Sequence, residues 1–259
     1  MRTTKFFRAV QAEWIKKKGS FAAWLVIVGG LFIPLINTLT YLFYPDKLAI
    51  LHQTPSNFWD SIFLKSWSMM SIVFLPMGIV LATSLFCQLE FKNNAWKQVH
   101  TAPIGYSSVY FAKLIVVLAM MAQLFILFNV GIYLSLAIPS LVYGHPFTSY
   151  NFNYSNFLID NLNYFLACIP MVLLQYSLGL VFRNFLVSIG FGLALVVGGM
   201  AALSWKFNYL IPSLHPALQF LTNSQTTPLP FNVLHWSAFY SILFLLSGYI
   251  VYFLKPQKG

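Results

Sequence analysis

The chain has 259 residues, of which 59% are hydrophobic, 18% aromatic and only 8% charged, with 15 Lys and Arg against five Asp and Glu. A soluble domain carries about 25% charged residues to cover its surface, so this composition excludes an ordinary soluble enzyme or binding module. It predicts an all-α integral membrane protein, because the long continuous apolar runs lack the roughly ten-residue alternating segments of an outer-membrane barrel.

In chain order, residues 1–20 open with MRTTKFFRAVQAEWIKKK, where Phe6 or Phe7, Val10 and Trp14 recur at helical spacing among basic residues. The pattern predicts an amphipathic helix in the membrane interface, apolar side down and Lys and Arg among the headgroups; a disordered basic tail is the alternative. A cleavable signal is not expected, since the charged region is long and the apolar run that follows is too long. A membrane-spanning helix needs about 20 predominantly apolar residues. Six are expected, at about 21–44, 67–88, 109–138, 162–182, 185–205 and 234–254, forming one transmembrane domain over 1–259. Pro34, Pro76 and Pro170 fall inside spans, where neighbouring helices can satisfy the freed carbonyls.

Three connections are substantial. Around 45–66, PSNFWDSIFLKSW predicts a short interfacial helix. Residues 89–106 form a polar, cationic stretch. Around 206–233, four prolines (Pro212, Pro216, Pro228 and Pro230) interrupt a segment that stays apolar, NYLIPSLHPALQFL. It is too broken to cross the bilayer and too greasy for free solvent, so a re-entrant or surface-lying loop packed on the spans is expected before the last helix. The spans do not divide into two similar halves, which argues against an inverted-repeat carrier.

Six spans put Arg2, Lys5, Arg8, Lys16, Lys17, Lys18, Lys92, Lys97, Lys113, Arg183, Lys255 and Lys258 on one side and Lys47, Lys65 and Lys206 on the other, twelve against three. The positive-inside rule then predicts cytoplasmic termini in the cell (inner) membrane.

Much chemistry is missing. No GxxxxGK[ST] occurs, so the chain has no P-loop of its own; there is no HExxH and no GxSxG. Only Glu13 and Glu90 are glutamates, which excludes proteases built on paired intramembrane glutamates. Cys87 and Cys168 are read as small buried hydrophobes, and no metal site is expected. The span centres offer the amides Asn37, Gln123, Asn129 and Gln175 but no ionisable group of the kind ion-coupled carriers use. Lys113, near the start of the third span, is expected to snorkel to the interface. Energy for any transport must therefore come from a partner, or there is none.

In the polar stretch, Glu90, Lys92, Asn93, Asn94, Lys97 and Gln98 are expected to extend the second span as a polar helix, interrupted by the lone aromatic Trp96. Pro103 stops it, Gly105 completes a turn, and Ser107 and Ser108 are candidate caps for the third span. Taken alone, this is also what a positively charged loop with an interfacial Trp looks like.

Taken together, the chain resembles the six-span permease subunits of ABC type-2 exporters, especially the short lantibiotic-immunity-like permeases. The resemblance covers nearly the whole length and is most specific in the connection after the second span. There the family has a Glu at the span end, a basic and polar segment, a Pro-Ile/Val-Ser/Gly turn and a Lys a few residues into the third span. Glu90, Asn94, Ala95, Trp96, Lys97, Pro103, Ile104, Gly105 and Lys113 stand at the matching positions; Asn94 and Ala95 depart from the family's frequent Gly-Thr. The resemblance implies that this segment is a coupling helix docked on a separate ABC ATP-binding subunit, with Glu90, Asn94, Trp96, Lys97 and Pro103 as its contacts. ATP and magnesium would bind that partner, and this chain would hold no cofactor and have no enzymatic activity. It implies a second permease subunit, the same or homologous, with membrane lipid around the pair and no nucleic acid.

Gly190, Ala194, Gly198 and Ala202 recur every fourth residue in the fifth span, a stripe that allows close helix approach in lipid. Packing within one subunit and a dimer interface both fit. The expected function is translocation of an amphiphile (a peptide antibiotic, lipid-like molecule or drug) driven by ATP on the partner. The alternative is an ATP-independent membrane protein that sequesters or scrambles an amphiphile.

Overall fold

The computed structural model describes residues 2–52, 58–92, 105–145, 154–182, 184–224 and 230–254; all secondary structure among them is helical. α1 runs Arg2–Lys17, α2 Phe21–Phe43 and α3 Pro45–His52. α4, Phe58–Met69, passes through a π-turn at Met70–Phe74 into α5, Leu75–Lys92. α6 covers Tyr106–Val142, α7 Tyr154–Val181, α8 Phe185–Ala201, α9 His215–Ser224 and α10 Val233–Leu254. Among the described residues, five stretches are long and apolar enough to cross a bilayer: Phe21–Phe43, Ser61–Leu89, Tyr106–Val142, Ser155–Val181 and Val233–Leu254. α8 is a shorter apolar helix of 17 residues. The chain is a multi-pass membrane protein.

Several boundaries differ from the sequence expectation for physical reasons. The segment expected as a separate interfacial helix near 58–67 is instead the continuation of the second span. The π-turn lies immediately before Pro76. A proline cannot donate to the carbonyl four residues back, here Ile72, and its ring crowds that carbonyl. One wider turn absorbs the misfit without breaking the helix. α8 ends at Ala201 rather than near 205: the Ala202 N–H is shared among the carbonyls of Gly198, Gly199 and Met200, and the chain leaves in short turns. At the start of α6, Gly105 occupies the cap position without a side-chain hydrogen bond. Ser107, expected to cap, reaches across to α10, its Oγ 2.7 Å from the Tyr249 hydroxyl.

The core is built on α6. α2 lies parallel to it, with Gly30 beside Leu124 and Leu127, and Gly131 beside Pro34. Near their far ends the Tyr143 hydroxyl donates to the Leu42 carbonyl at 2.5 Å, and the His52 and His145 rings stack 4.7 Å apart. α7 packs between α5 and α10, and α8 lies on α5. At the centre Trp67 is buried against Tyr164, Phe125 and Phe128, with ring centroids 4.0, 5.5 and 5.1 Å away.

The loop before the last span is folded rather than extended. Two 3-10 turns, Asn208–Leu210 and Pro212–Leu214, lead into α9, which packs on α7 and touches the π-turn of the second span. Its stretch His215–Phe220 is buried. The Ser213 hydroxyl donates to the Leu195 carbonyl at 2.9 Å, pinning the hairpin to α8. This is the helical, span-packed loop that prolines in an apolar segment require.

His215 holds the hairpin to α10. Its Nε2 lies 2.9 Å from the Tyr209 carbonyl, which can only accept, so Nε2 carries the proton; Nδ1 then accepts from the Ser237 hydroxyl at 2.9 Å. Burial pushes this imidazole below its ordinary value of 6.5. The folded state therefore binds the proton less readily than the unfolded chain, and the contribution of this site is fully present above about pH 6.5 and lost as pH falls through the folded value. Trp236 emission, sensitive to Tyr209 at 4.8 Å, is expected to report earlier thermal loosening of the hairpin at pH 5 than at pH 7.5. His215→Phe should flatten that pH dependence.

Candidate functional site: a buried charge junction between α1 and α6

α1 and α2 are separated by Gly19, whose φ of 73° lies in the left-handed region that a side chain disfavours. Ser20 caps the new helix, its Oγ accepting from the Ala23 N–H at 3.2 Å. The break lets α1 turn against the first half of α6. The face it buries is the i, i+4 row Ala9, Glu13 and Lys17, while Phe7, Trp14 and Ile15 remain exposed. The expected helix is present, but its polar side is divided. Part of that side meets protein rather than headgroups.

Glu13 is 4% exposed, Lys17 6% and Lys113 2%. The Glu13 carboxylate lies 2.5 Å from the Lys16 ammonium and 3.9 Å from that of Lys113. Lys17 donates to Gln123 Oε1 at 2.5 Å and stands 4.2 Å from the Trp14 ring centroid. Burial holds the Lys17 ammonium below the usual lysine range. Lys113 therefore does not snorkel, as its position near a helix start suggested. Docked α1 closes the route to the interface and supplies a carboxylate instead. Charges removed from water persist only when paired, so one acidic residue on α1 ties two helices together at the end of α6 that follows the polar stretch.

Of the residues expected to meet an ATP-binding subunit, Glu90 falls in the last turn of α5. Its side chain lies outside the described residues, as do Asn94, Trp96, Lys97 and Pro103 altogether. The flanks are described: α5 ends at Lys92, and Gly105 begins α6 two turns before Lys113.

In α8, Gly190, Ala194 and Gly198 face away from the rest of the chain, and Ala202 is half-buried. A Cβ at Gly190 or Gly198 would meet nothing within 4 Å. The inward packing comes from other glycines, Gly192 against Val80 and Gln175, and Gly199 against Ser213 and Leu214.

The amides picked out at span centres each join helices. Asn37 Nδ2 donates to Ser66 Oγ at 3.0 Å, Gln123 accepts from Lys17, and Asn129 Nδ2 donates to Asn161 Oδ1 at 2.7 Å. Gln175 Nε2 donates to Ser84 Oγ at 2.6 Å and the Ser188 carbonyl at 2.9 Å, linking α5, α7 and α8. Among the described residues no group of three or more His, Cys, Asp and Glu could hold a metal ion.

What sequence reading missed is the role of Glu13. Its i, i+4 relation to Ala9 and Lys17 was visible, but the partner on α6 is a hundred residues away.

A family model described as "ABC-2 family transporter protein" matches residues 9–199, a stretch that includes Glu13, Lys113 and the polar connection. No curated protein and no solved structure matches the chain.

Proposed function

Because the chain belongs to the ABC-2 transporter family, whose members are membrane components of ABC transporters and partner an ABC ATP-binding subunit, we propose that it is the membrane-spanning permease of an ATP-driven exporter of amphiphiles. Both termini would be cytoplasmic. Residues 90–105 would dock on the ATP-binding subunit, through Glu90, Asn94, Trp96, Lys97 and Pro103. ATP and magnesium would act on that subunit, and this chain would contribute no catalytic group.

The observation that carries this reading is the family match over residues 9–199, and the Glu13–Lys113 contact at 3.9 Å supports a route for the coupling. The connection after Lys92 feeds directly into α6, so a push on it reaches the first turns of α6. The buried ion pair would then pass that displacement to α1 and, across the Gly19 break, to α2. A charged, dry latch suits such a task because it has discrete docked and undocked states, not a continuum. The outward Gly190, Ala194 and Gly198 supply a flat strip against which a second permease subunit could pack. The exposed face of α8 beside that strip carries Phe191, Val197 and Met200 and no charge, which favours an amphiphilic cargo over an ion.

The test is co-purification with a Walker-A-bearing subunit followed by ATPase assay. Glu90→Ala and Trp96→Ala are each expected to abolish transport-coupled ATPase while leaving membrane insertion intact. Unchanged coupling in both variants contradicts the assignment of the docking segment.

A further inference from the structure

One side of α1 is taken up by α6, and the other is uncovered. Ala9, Glu13 and Lys17 are buried, whereas Phe7, Trp14 and Ile15 are 66%, 40% and 66% exposed. Lys5, Arg8 and Lys18 are exposed beside them. At about 3.6 residues per turn, Phe7, Gln11, Trp14 and Lys18 fall in one row and Arg8 and Ile15 in the next. Large apolar groups and cations therefore alternate over the uncovered side. The sign of its charge is uniform. Glu13 is the one acid in α1, and it is buried. Lys16 is engaged by Glu13 and Lys17 by Gln123, while Lys5, Arg8 and Lys18 make no ion pair among the described residues.

The depth of this helix follows from its neighbours. α2 runs parallel to α6, with Gly30 beside Leu124 and Pro34 beside Gly131. Counting back equal numbers of residues from each contact, Phe21 at the start of the first span comes level with residues 115–118 of α6. That level lies between Lys113 and Gln123, the two residues that bind α1. α1 thus sits where the first span enters the bilayer, at the depth of the lipid headgroups. Trp24, 60% exposed in the first turn of α2, is the aromatic anchor expected at that depth.

We propose that the uncovered side of α1 is a docking surface for anionic phospholipid. Phe7, Trp14 and Ile15 rest against the acyl chains, and Lys5, Arg8 and Lys18 take the headgroup phosphates. A zwitterionic headgroup offers the same phosphate but offsets it with its own ammonium, so the surface selects lipids of net negative charge. The lipid holds α1 in place from outside, as Glu13 does from within. Neither the cargo nor the ATP-binding partner enters this contact.

The full-length protein in phosphatidylcholine nanodiscs tests this by tryptophan quenching. The discs carry a small fraction of phosphatidylglycerol or of phosphatidylcholine, brominated near the glycerol end of its chains. Subtracting the emission of Trp14→Phe isolates the Trp14 contribution. At equal mole fraction the brominated phosphatidylglycerol is expected to show an affinity at least about fivefold higher than the phosphatidylcholine, the worth of one fully engaged basic residue. The preference should fall toward unity at high salt and in the triple variant Lys5→Gln, Arg8→Gln, Lys18→Gln, which leaves the Glu13–Lys113 contact in place. Equal quenching by the two lipids, or a preference persisting in the triple variant, overturns the proposal. A triple variant that quenches like the unaltered protein and instead loses co-purification with an ATP-binding subunit overturns it in favour of an acidic protein surface. Should the triple variant not fold, salt decides: a preference undiminished at high salt overturns it too.

Discussion

Glu13→Gln is expected to lower the stability of the purified protein by about 1–3 kcal/mol, the cost of losing charge-assisted contacts to the ammonium groups of Lys16 and Lys113. It is also expected to remove stimulation of the partner ATPase. The substitution keeps the size of the side chain, removes its charge and turns one acceptor oxygen into an NH2 donor. Lys113, 2% exposed, then faces a neutral amide, and α1 keeps only the Lys17–Gln123 bond of its two polar links to α6 described above. The sharper expectation concerns the pair. Replacing both members, Glu13→Gln with Lys113→Met, removes the charge imbalance, so thermal stability should largely recover because buried ion pairs are often no better than packed apolar groups. Coupling should not recover, because the latch is gone. Thermal unfolding in detergent together with ATPase stimulation separates these outcomes. Stability and coupling returning together in the double variant would reduce Glu13 to a packing residue.

Gly131→Ala is expected to destabilise the α2–α6 pairing by about 1–3 kcal/mol, the usual penalty for overpacking. A Cβ at 131 would lie 2.7 Å from both Cβ and Cγ of Pro34, a rigid ring that cannot swing aside as the end of a long side chain can. The backbones of α2 and α6 must separate, and Gly30, whose Cβ would stand 3.0 Å from the Leu124 carbonyl oxygen, shows that the approach is close over more than one turn. Gly29→Ala is the control. Nothing lies within 4 Å of its Cβ, so better helix propensity should leave stability unchanged or raise it slightly. Equal melting temperatures for Gly131→Ala and Gly29→Ala would contradict this packing.

The apolar runs made the helices legible from sequence, because lipid demands long unbroken segments whatever the tertiary context. Helix ends were less legible. The helix that carries the second span starts at Phe58 rather than near 67, because the segment expected as a separate interfacial helix continues it. α9 was readable only as an apolar, proline-broken loop, since its burial depends on the surfaces of α7 and the π-turn. In the candidate site, the family pattern pointed to residues 90–105. The charge junction beside them was hidden: Lys113 looked like a snorkelling lysine near a helix start, and only the folded-back α1 reveals that Glu13 covers it. The small-residue stripe was legible as a row, but not which way it faces. Gly190, Ala194 and Gly198 turn outward, whereas Gly192 and Gly199 pack inward, a split set by which way α8 rotates on α5.

The most direct test is movement of a fluorescent amphiphile across proteoliposomes containing this chain, with and without its ATP-binding partner and with and without ATP. Transport only when chain, partner and ATP are all present is the expected result. Equal amphiphile movement by the chain alone, with no nucleotide, would contradict an ATP-driven permease.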